Sequence, residues 1–396
     1  MRNCASIANT SCFVEGIVPT SDIDGGGCHY KELPSGTTWR FELPLTIRDR
    51  GVTSPLEDTP DTSKSVLEGN TYRAAGVDVQ AKAALNEFLS HKLGVGAFSG
   101  VTSLPSLHDP VIAVTVDSVG TKLKIAAALN RHADTARDIV HHCVNDILCS
   151  GLEPFVFLDY LALPQLNQDL VEAVIDGLQQ ACRNVGCLLL GGETPELPEV
   201  YRPGDYELAG MMIGIGERRS LYDRSTVQIG DAIIGLPAAG LHTNGYTLAR
   251  KLIPENEWRQ YSQRLGMTYG DALLLEHRSY LEQVRALRRV VTIHGLAHIT
   301  GGGLYDNIPR CLPEGLSVRL DADRWRLPPL LLELRDRGHL SDTELARTFN
   351  AGIGMVVILP DAQVDLAIDI VPDTYLIGEV CALEGRERVL IKGHLQ

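Results

Sequence analysis

The chain has 396 residues, 44% of them hydrophobic and 22% charged, with a net charge of −14. That length allows two or three domains with full cores, the balance is that of a soluble globular protein, and the acidity argues against nucleic acid, whose phosphates need a basic surface. No apolar run approaches the roughly 18 residues of a membrane span, and nine scattered cysteines without a C-x₂-C pair point to reduced thiols in a cytoplasm rather than a disulfide framework or zinc site.

Residues 1–69 read as an extension ending in a linker. They hold Gly25–Gly27, several prolines and a Ser/Thr/Asp-rich run over Thr53–Ser65, and only Thr38–Ile47 has the look of a strand. The segment is too acidic for a mitochondrial transit peptide and lacks the apolar core of a signal peptide. From Tyr72 the pattern tightens. Val77–Leu93 places Val77, Ala81, Ala84, Leu85, Phe88 and Leu89 on one helical face, and Gly94, Gly96 and Gly100 then bracket Phe98 in a glycine-rich loop.

Val111–Val116 is a β-branched run suited to a buried strand, and it ends on Asp117, followed by Gly120, Thr121 and Lys122. A carboxylate at a strand's C-terminal end can hold a divalent cation. The glycine lets backbone N–H groups approach phosphate oxygens, and the lysine adds a point charge. A polar turn after a core strand is the plainer alternative. The next helix, from about Asp134 to Ser150, buries Ile139, Val140, Cys143, Val144 and Ile147, with Gly151 at its C′ position. Asp146 falls on the edge of that stripe, open to water or to a cation.

Phe155–Ala162 is a second strand. Asn167 caps a helix with Leu170, Val171, Val174, Ile175, Leu178, Ala181 and Val185 inward, and Gly186 ends it. Cys187–Leu190 begins a third strand that runs into Gly191, Gly192 and Glu193. Two strands ending in carboxylates, with Asp146 besides, suggest a shared acidic cluster. Leu208–Gly216, rich in glycine, closes a first domain spanning 70–226.

A polar, turn-rich crossover over Arg218–Gly230 precedes a second domain, 227–396, that starts with the strand Ala232–Leu236. Gly240-Leu241-His242-Thr243-Asn244-Gly245 then opens a helix over Tyr246–Leu252, where small polar donors make a ready anion site. His242 is a general acid or base, or a satisfied loop histidine. Gly301, Gly302 and Gly303 with Asn307, and the run Thr348–Met355 before the strand Val356–Leu359, complete the glycine-rich stretches. A triple glycine needs a tight turn or close backbone approach to a ligand. P-loop and strand-linked G-x-G-x-x-G patterns are absent.

In order, the blocks YRAAGVD (Tyr72–Asp78), GAFSG (Gly96–Gly100), DSVGTK (Asp117–Lys122), VNDI (Val144–Ile147), FLDY (Phe157–Tyr160), GGETPELP (Gly191–Pro198), GLHTNGY (Gly240–Tyr246), HITGGG (His298–Gly303), NIPR (Asn307–Arg310) and TFNAGIGM (Thr348–Met355) resemble the aminoimidazole ribonucleotide synthetase, or phosphoribosylformylglycinamidine cyclo-ligase, family. The resemblance implies an α/β (α+β) fold of two domains: an N-terminal sheet that forms an intersubunit β-barrel in a homodimer, and a C-terminal α/β sandwich. It implies conversion of formylglycinamidine ribonucleotide with ATP and Mg²⁺ to aminoimidazole ribonucleotide, ADP and phosphate. ATP phosphorylates an amide-type oxygen, and the neighbouring amine then closes the ring and expels phosphate.

The same resemblance puts metal on Asp117, Asp146 and Glu193, and ATP or phosphate on Arg73, Gly96, Phe98, Gly100, Gly120, Thr121, Lys122, Gly192 and Glu193. The ribonucleotide falls to Thr243, Asn244, Gly301, Gly302, Gly303 and Asn307, and His242 becomes the proton-transfer candidate beside the catalytic carboxylates. The chain departs from the family at Arg73-Ala74 (for Lys-Asp), Ser118 (for Gly) and Ala351 (for Cys). Related folds that phosphorylate thiamine monophosphate or selenide, or a lapsed nucleotide-binding paralogue, are the alternatives.

Overall fold

The computed structural model describes residues 99–396 together with Ala84, Leu85 and Lys92. The expected extension 1–69, Arg73, Gly96, Phe98 and most of the Val77–Leu93 helix lie outside the described residues.

The first sheet is built from β1 (Pro110–Ser118), β2 (Glu153–Ala162), β3 (Leu188–Glu193) and β4 (Glu207–Glu217), in the order β1-β4-β2-β3. Helices α1 (Leu123–Leu129) and α2 (His132–Ser150) follow β1, and α3 (Gln168–Val185) carries the chain from β2 to β3. That crossover lets β2 and β3 pair in parallel while β4 runs antiparallel to both β1 and β2. The expected punctuation is in place. The Asn167 side chain accepts from the Leu170 N–H, and Gly151 and Gly186 end their helices in the left-handed conformation.

The second sheet has six strands, in the order β12-β9-β11-β5-β10-β8. In chain order the elements are β5 (Ala232–Pro237), α4 (Tyr246–Leu252), a hairpin of β6 (Tyr261–Ser262) and β7 (Met267–Thr268), α5 (Tyr269–Leu273), α6 (Leu281–Arg288), β8 (Gly295–His298), α7 (Gly303–Asn307), β9 (Leu316–Asp321), α8 (Pro329–Gly338), α9 (Asp342–Thr348), β10 (Ile353–Leu359), α10 (Val364–Ile370), β11 (Tyr375–Ala382) and β12 (Val389–Lys392). Every residue of β10 is buried, which matches its unbroken apolar run. Met355, Val357 and Leu359 join the core that contains α2, while Ile353, Val356 and Ile358 join the core on the sheet's other face.

Helix α2 is the element both sheets share. It packs on β1, β2, β4 and α3 from one side and on β8 and α6 from the other. Fourteen of its 19 residues are therefore buried, including polar ones that a helix lying on a single sheet would show to water. The glycines of β4 seat it. A Cβ at Gly210 would overlap Phe157 and Ile139, and one at Gly214 would overlap Ile147. In this packed setting even one added methyl forces a backbone shift costing about 1–3 kcal/mol.

One expectation changes. The β1 run reads as a buried strand, yet among the described residues β1 lies at the edge of its sheet, with Ile112, Val114 and Val116 exposed at 63%, 54% and 64%. Helix α2 covers one face of the sheet. β-Branched composition reports strand formation but not how many faces are covered.

Candidate active site

The register of the first sheet aligns Asp117, Gly210, Asp159 and Gly192 across its four strands. The DSVGTK, FLDY and GGETPELP blocks therefore meet at one end of the sheet. At this end Asp117 Oδ1 accepts from the Ser118 N–H (2.7 Å), and Asp117 Oδ2 lies 2.8 Å from His142 Nε2 on α2. Asp146, one turn further along, accepts from the Thr115 hydroxyl (2.9 Å) through Oδ2 and from His298 Nδ1 (2.8 Å) through Oδ1. Burial alone would raise both carboxyls. Hydrogen bonding and charge from His142 lower Asp117 nonetheless, and the His298 bond with the His142 charge holds Asp146 at about 2. Two ionised, partly exposed carboxylates thus stand side by side.

Glu193 is not with them. It lies on β3, three strands from β1, which is roughly 14 Å at the usual strand spacing. The expected cluster of three acids is a pair, Asp117 and Asp146, joined by His142. Gly192 instead packs beside Asp159, whose Oδ1 a Cβ there would overlap, and Gly100 packs on the Leu190 carbonyl in the same way.

Asp159 itself is 6% exposed, and burial pushes its carboxyl up to about 7. Its folded value lies above its unfolded one, so the unfolded chain sheds this proton first, and stability declines as pH climbs from about 4 to about 7. Asp159→Asn should remove that decline. Melting temperatures from pH 4 to 8 should show the variant gaining on the wild type with pH, and a constant gap would refute the assignment.

Lys122 is placed differently from its expected role at phosphate. The turn Gly120–Lys122 directs its ammonium inward, where it is fully buried against Asp138 (2.6 Å) and donates to the carbonyls of Leu275 (2.8 Å) and His242 (3.1 Å). Asp138 also accepts from the His277 N–H at 2.7 Å. Burial pushes this carboxyl upward, while Lys122 and that N–H oppose the rise. All three donor directions of the lysine are used inside the protein.

His242 is also sealed. It adopts φ +59°, its ring is fully buried and stacked on His277 at 4.1 Å between centroids, and neither ring nitrogen has a hydrogen-bond partner among the described residues. Gly354 makes the room, because a Cβ there would overlap both the Tyr280 hydroxyl and the His242 ring. Burial, reinforced by His298 and Lys122, pushes the imidazole well below its ordinary range. A general acid or base must reach its substrate, and this ring does not face the cleft.

The cleft that does open here has a volume of about 510 Å³ and is lined by Gly120, Thr121, Asn244, Thr247, Lys251 and Thr348 among others. The Thr121 and Thr247 hydroxyls meet at 3.3 Å across it, and the Asn244 Nδ2 has no hydrogen-bond partner among the described residues. Gly120 and Thr121 also border a second cavity of about 240 Å³, beside Lys124 and Glu207. The glycine loop closes in behind. A Cβ on Gly301 would touch Asn244 Oδ1 at 3.4 Å, and one on Gly303 would overlap the Ala346 carbonyl. Asn307 is a brace rather than a free contact, since its Nδ2 donates to the carbonyls of Thr300, Gly301 and Gly303 and its Oδ1 accepts from the Thr300 hydroxyl. Asn350 ties the TFNAGIGM run to the Gly240 carbonyl at 2.7 Å.

Sequence reasoning missed His142, His277 and Asp138. A signal was present, because Asp138, His142 and Asn145 recur at i, i+4 and i+7, a polar stripe on a helix otherwise read for its apolar face.

Two mixed sheets sharing one helix, with one carboxylate at a strand end and a second on that helix beside a glycine-lined cleft, define an AIR synthase-type protein. The model for "AIR synthase related protein, N-terminal domain" matches residues 100–216, and that for its C-terminal domain matches residues 228–390. The phosphoribosylformylglycinamidine cyclo-ligases of Burkholderia lata and Nitrosococcus oceani are 40% and 42% identical over 354 and 337 residues, spanning 87% and 81% of this chain and 99% and 93% of their own. The chain belongs to the phosphoribosylformylglycinamidine cyclo-ligase family. The fold is shared more widely. Thiamine-monophosphate kinase from Stenotrophomonas maltophilia superposes with a TM-score of 0.57 at 18% identity, over 77% of this chain and 95% of that one. The hydrogenase maturation protein HypE in complex with ATP does so with 0.58 at 17%, over 80% and 92%.

Proposed function

We infer that this chain is an ATP-dependent ligase that converts formylglycinamidine ribonucleotide to aminoimidazole ribonucleotide, with ADP and phosphate released, in purine biosynthesis. The observation that carries the reading is the 40% identity to cyclo-ligases across nearly their whole length. Thiamine monophosphate kinase-like chemistry rests on a likeness of fold alone. Coupled ADP release should appear with formylglycinamidine ribonucleotide and stay at background with thiamine monophosphate or selenide. Turnover with either of the latter would overturn the reading.

The residues present fit a Mg²⁺ ion carried by the nucleotide. Asp117 and Asp146 offer hard carboxylate oxygens with lone pairs to spare, at the protein surface where water and phosphate oxygens can complete an octahedron. Such an ion would neutralise charge on the transferring phosphoryl group. Beside it, Thr121, Thr247 and the unpartnered Asn244 amide present donors to the cleft, and Lys251 adds positive charge. We place the boundary between the two domains near residue 226, in the polar stretch between the two family matches.

A second copy of the chain is the proposed cover for Ile112, Val114 and Val116. A row of exposed apolar side chains on an edge strand invites pairing. Light scattering should give a dimer mass, reduced to that of one chain by Val114→Asp. A wild-type protein that scatters as a monomer at micromolar concentration would remove the proposal.

A further inference from the structure

Thr243 stands in the turn before α4 and borders the cleft, yet it is only 9% exposed and its hydroxyl is spent inside the protein. The hydroxyl oxygen lies 2.8 Å from Nδ1 of His142, on α2 and 101 residues back in the chain. The other nitrogen of that ring, Nε2, lies 2.8 Å from Asp117 Oδ2 at the end of β1. Thr243, His142 and Asp117 thus form one line from the second domain, through the shared helix, to the carboxylate pair. A longer contact of 3.5 Å joins the same hydroxyl to His277 Nδ1.

The chemistry of each atom gives the line its direction. An ionised carboxylate only accepts, so the ring nitrogen facing Asp117 is the one that carries a proton. A neutral ring then presents a lone pair at Nδ1, and the Thr243 hydroxyl donates to it. Were the ring charged, the same hydroxyl would accept from the Nδ1–H instead. The bond to Thr243 therefore holds in either state, and it selects the ring orientation that keeps Nε2 on Asp117. His142 is sealed in the interior, whereas the Asp117 side chain is 42% exposed. The last torsion of an aspartate is broad and weakly restrained, so both of its oxygens need anchors if it is to hold one direction. The Ser118 N–H anchors Oδ1, and His142 is what stands against Oδ2.

We propose that Thr243 is a positioning residue for Asp117: through His142 it fixes the carboxylate in the direction from which it receives Mg²⁺. The proposal rests on the Mg²⁺ reading given above, and it gives Thr243 a different task from the ribonucleotide contact that the family resemblance implies. Groups one bond removed from a metal's own ligands commonly govern metal affinity by about 10–100-fold. Without the hydroxyl, Nδ1 loses its partner in the interior and the ring is released from its hold on Asp117.

The test titrates Mn²⁺, which shares the preference of Mg²⁺ for carboxylate oxygen, into the full chain and counts the unbound ion by electron paramagnetic resonance. Thr243→Val, close in shape, should weaken Mn²⁺ binding by about 10–100-fold and raise the Mg²⁺ concentration for half-maximal ADP release to match. Thr243→Ser, which keeps the hydroxyl, should bind near the wild-type value. In a His142→Gln background the valine should add nothing, because the line is already cut. Asp117→Asn separates the two readings. If it loses Mn²⁺ while Thr243→Val binds like the wild type, the positioning role is wrong and the Mg²⁺ reading stands. If Asp117→Asn binds Mn²⁺ unchanged, the Mg²⁺ reading fails and the proposal falls with it. A raised KM for the ribonucleotide, or a lower melting temperature, with unaltered Mn²⁺ affinity would also overturn it, making Thr243 a substrate contact or a structural bond. Should Thr243→Val not fold, Thr243→Cys takes its place, since a thiol is a weak donor, and wild-type Mn²⁺ affinity there would be equally decisive against the proposal.

Discussion

Replacing Lys122 with methionine should destabilise the protein by about 3–5 kcal/mol, the usual cost of stranding one member of a buried ion pair. The ammonium is fully enclosed and holds Asp138 together with two backbone carbonyls, so the variant leaves a buried carboxylate and two acceptors unanswered. Chemical denaturation measures the loss directly. Lys122→Met combined with Asp138→Leu should recover much of it, because removing both charges leaves an apolar contact in place of an orphaned ion. Were Lys122 a phosphate ligand instead, the single variant would melt like the wild type and lose only nucleotide affinity. Stability and affinity are therefore to be measured on the same sample.

Asp146→Asn should lower kcat/KM by about 10²–10³-fold, the scale of losing one fixed electrostatic group at a reacting centre. An amide cannot replace this carboxylate. Asp146 accepts on both oxygens, from Thr115 and from His298, and an asparagine would present an N–H to one of those donors. If Asp146 also helps to hold Mg²⁺, the Mg²⁺ concentration for half-maximal rate should rise. Unchanged turnover and an unchanged Mg²⁺ requirement would take Asp146 out of the site. The variant should lose stability near neutral pH too. A carboxyl held at about 2 in the fold stabilises above its unfolded value near 4 and loses that contribution as pH falls towards 2. The gap in melting temperature between wild type and variant should therefore close across that acid range.

Much of this site was legible as local sequence. Asp117 at a strand's end, Gly120 in its turn, the Asn167 cap and the Gly151 and Gly186 stops depend on neighbours within a few residues, and periodicity reports those faithfully. The inward turn of Lys122 was not legible. Its partners lie 16 residues away at Asp138 and far down the chain at His242 and Leu275, and nothing near the DSVGTK block reveals them. The misplacement of Glu193 has the same origin. Two carboxylates at similar strand ends look alike until strand order separates them, and that order came from pairings no single segment encodes. The exposure of β1 was hidden because β-branched composition reads the same whether or not both faces of a strand are covered.

The shared helix restricts how this protein can move. A hinge between lobes needs a connection that bends without breaking contacts, but α2 is packed on β4 through the Gly210 and Gly214 seats and on β8 from its other side. Swinging the sheets apart would pull the helix off one of them and expose its buried polar stripe. The turns that line the cleft, at Gly120 and at Asn244–Gly245, are the parts left to give way while that framework stays still. The helix's packing on both sheets thus ties the two halves of the chain into one framework.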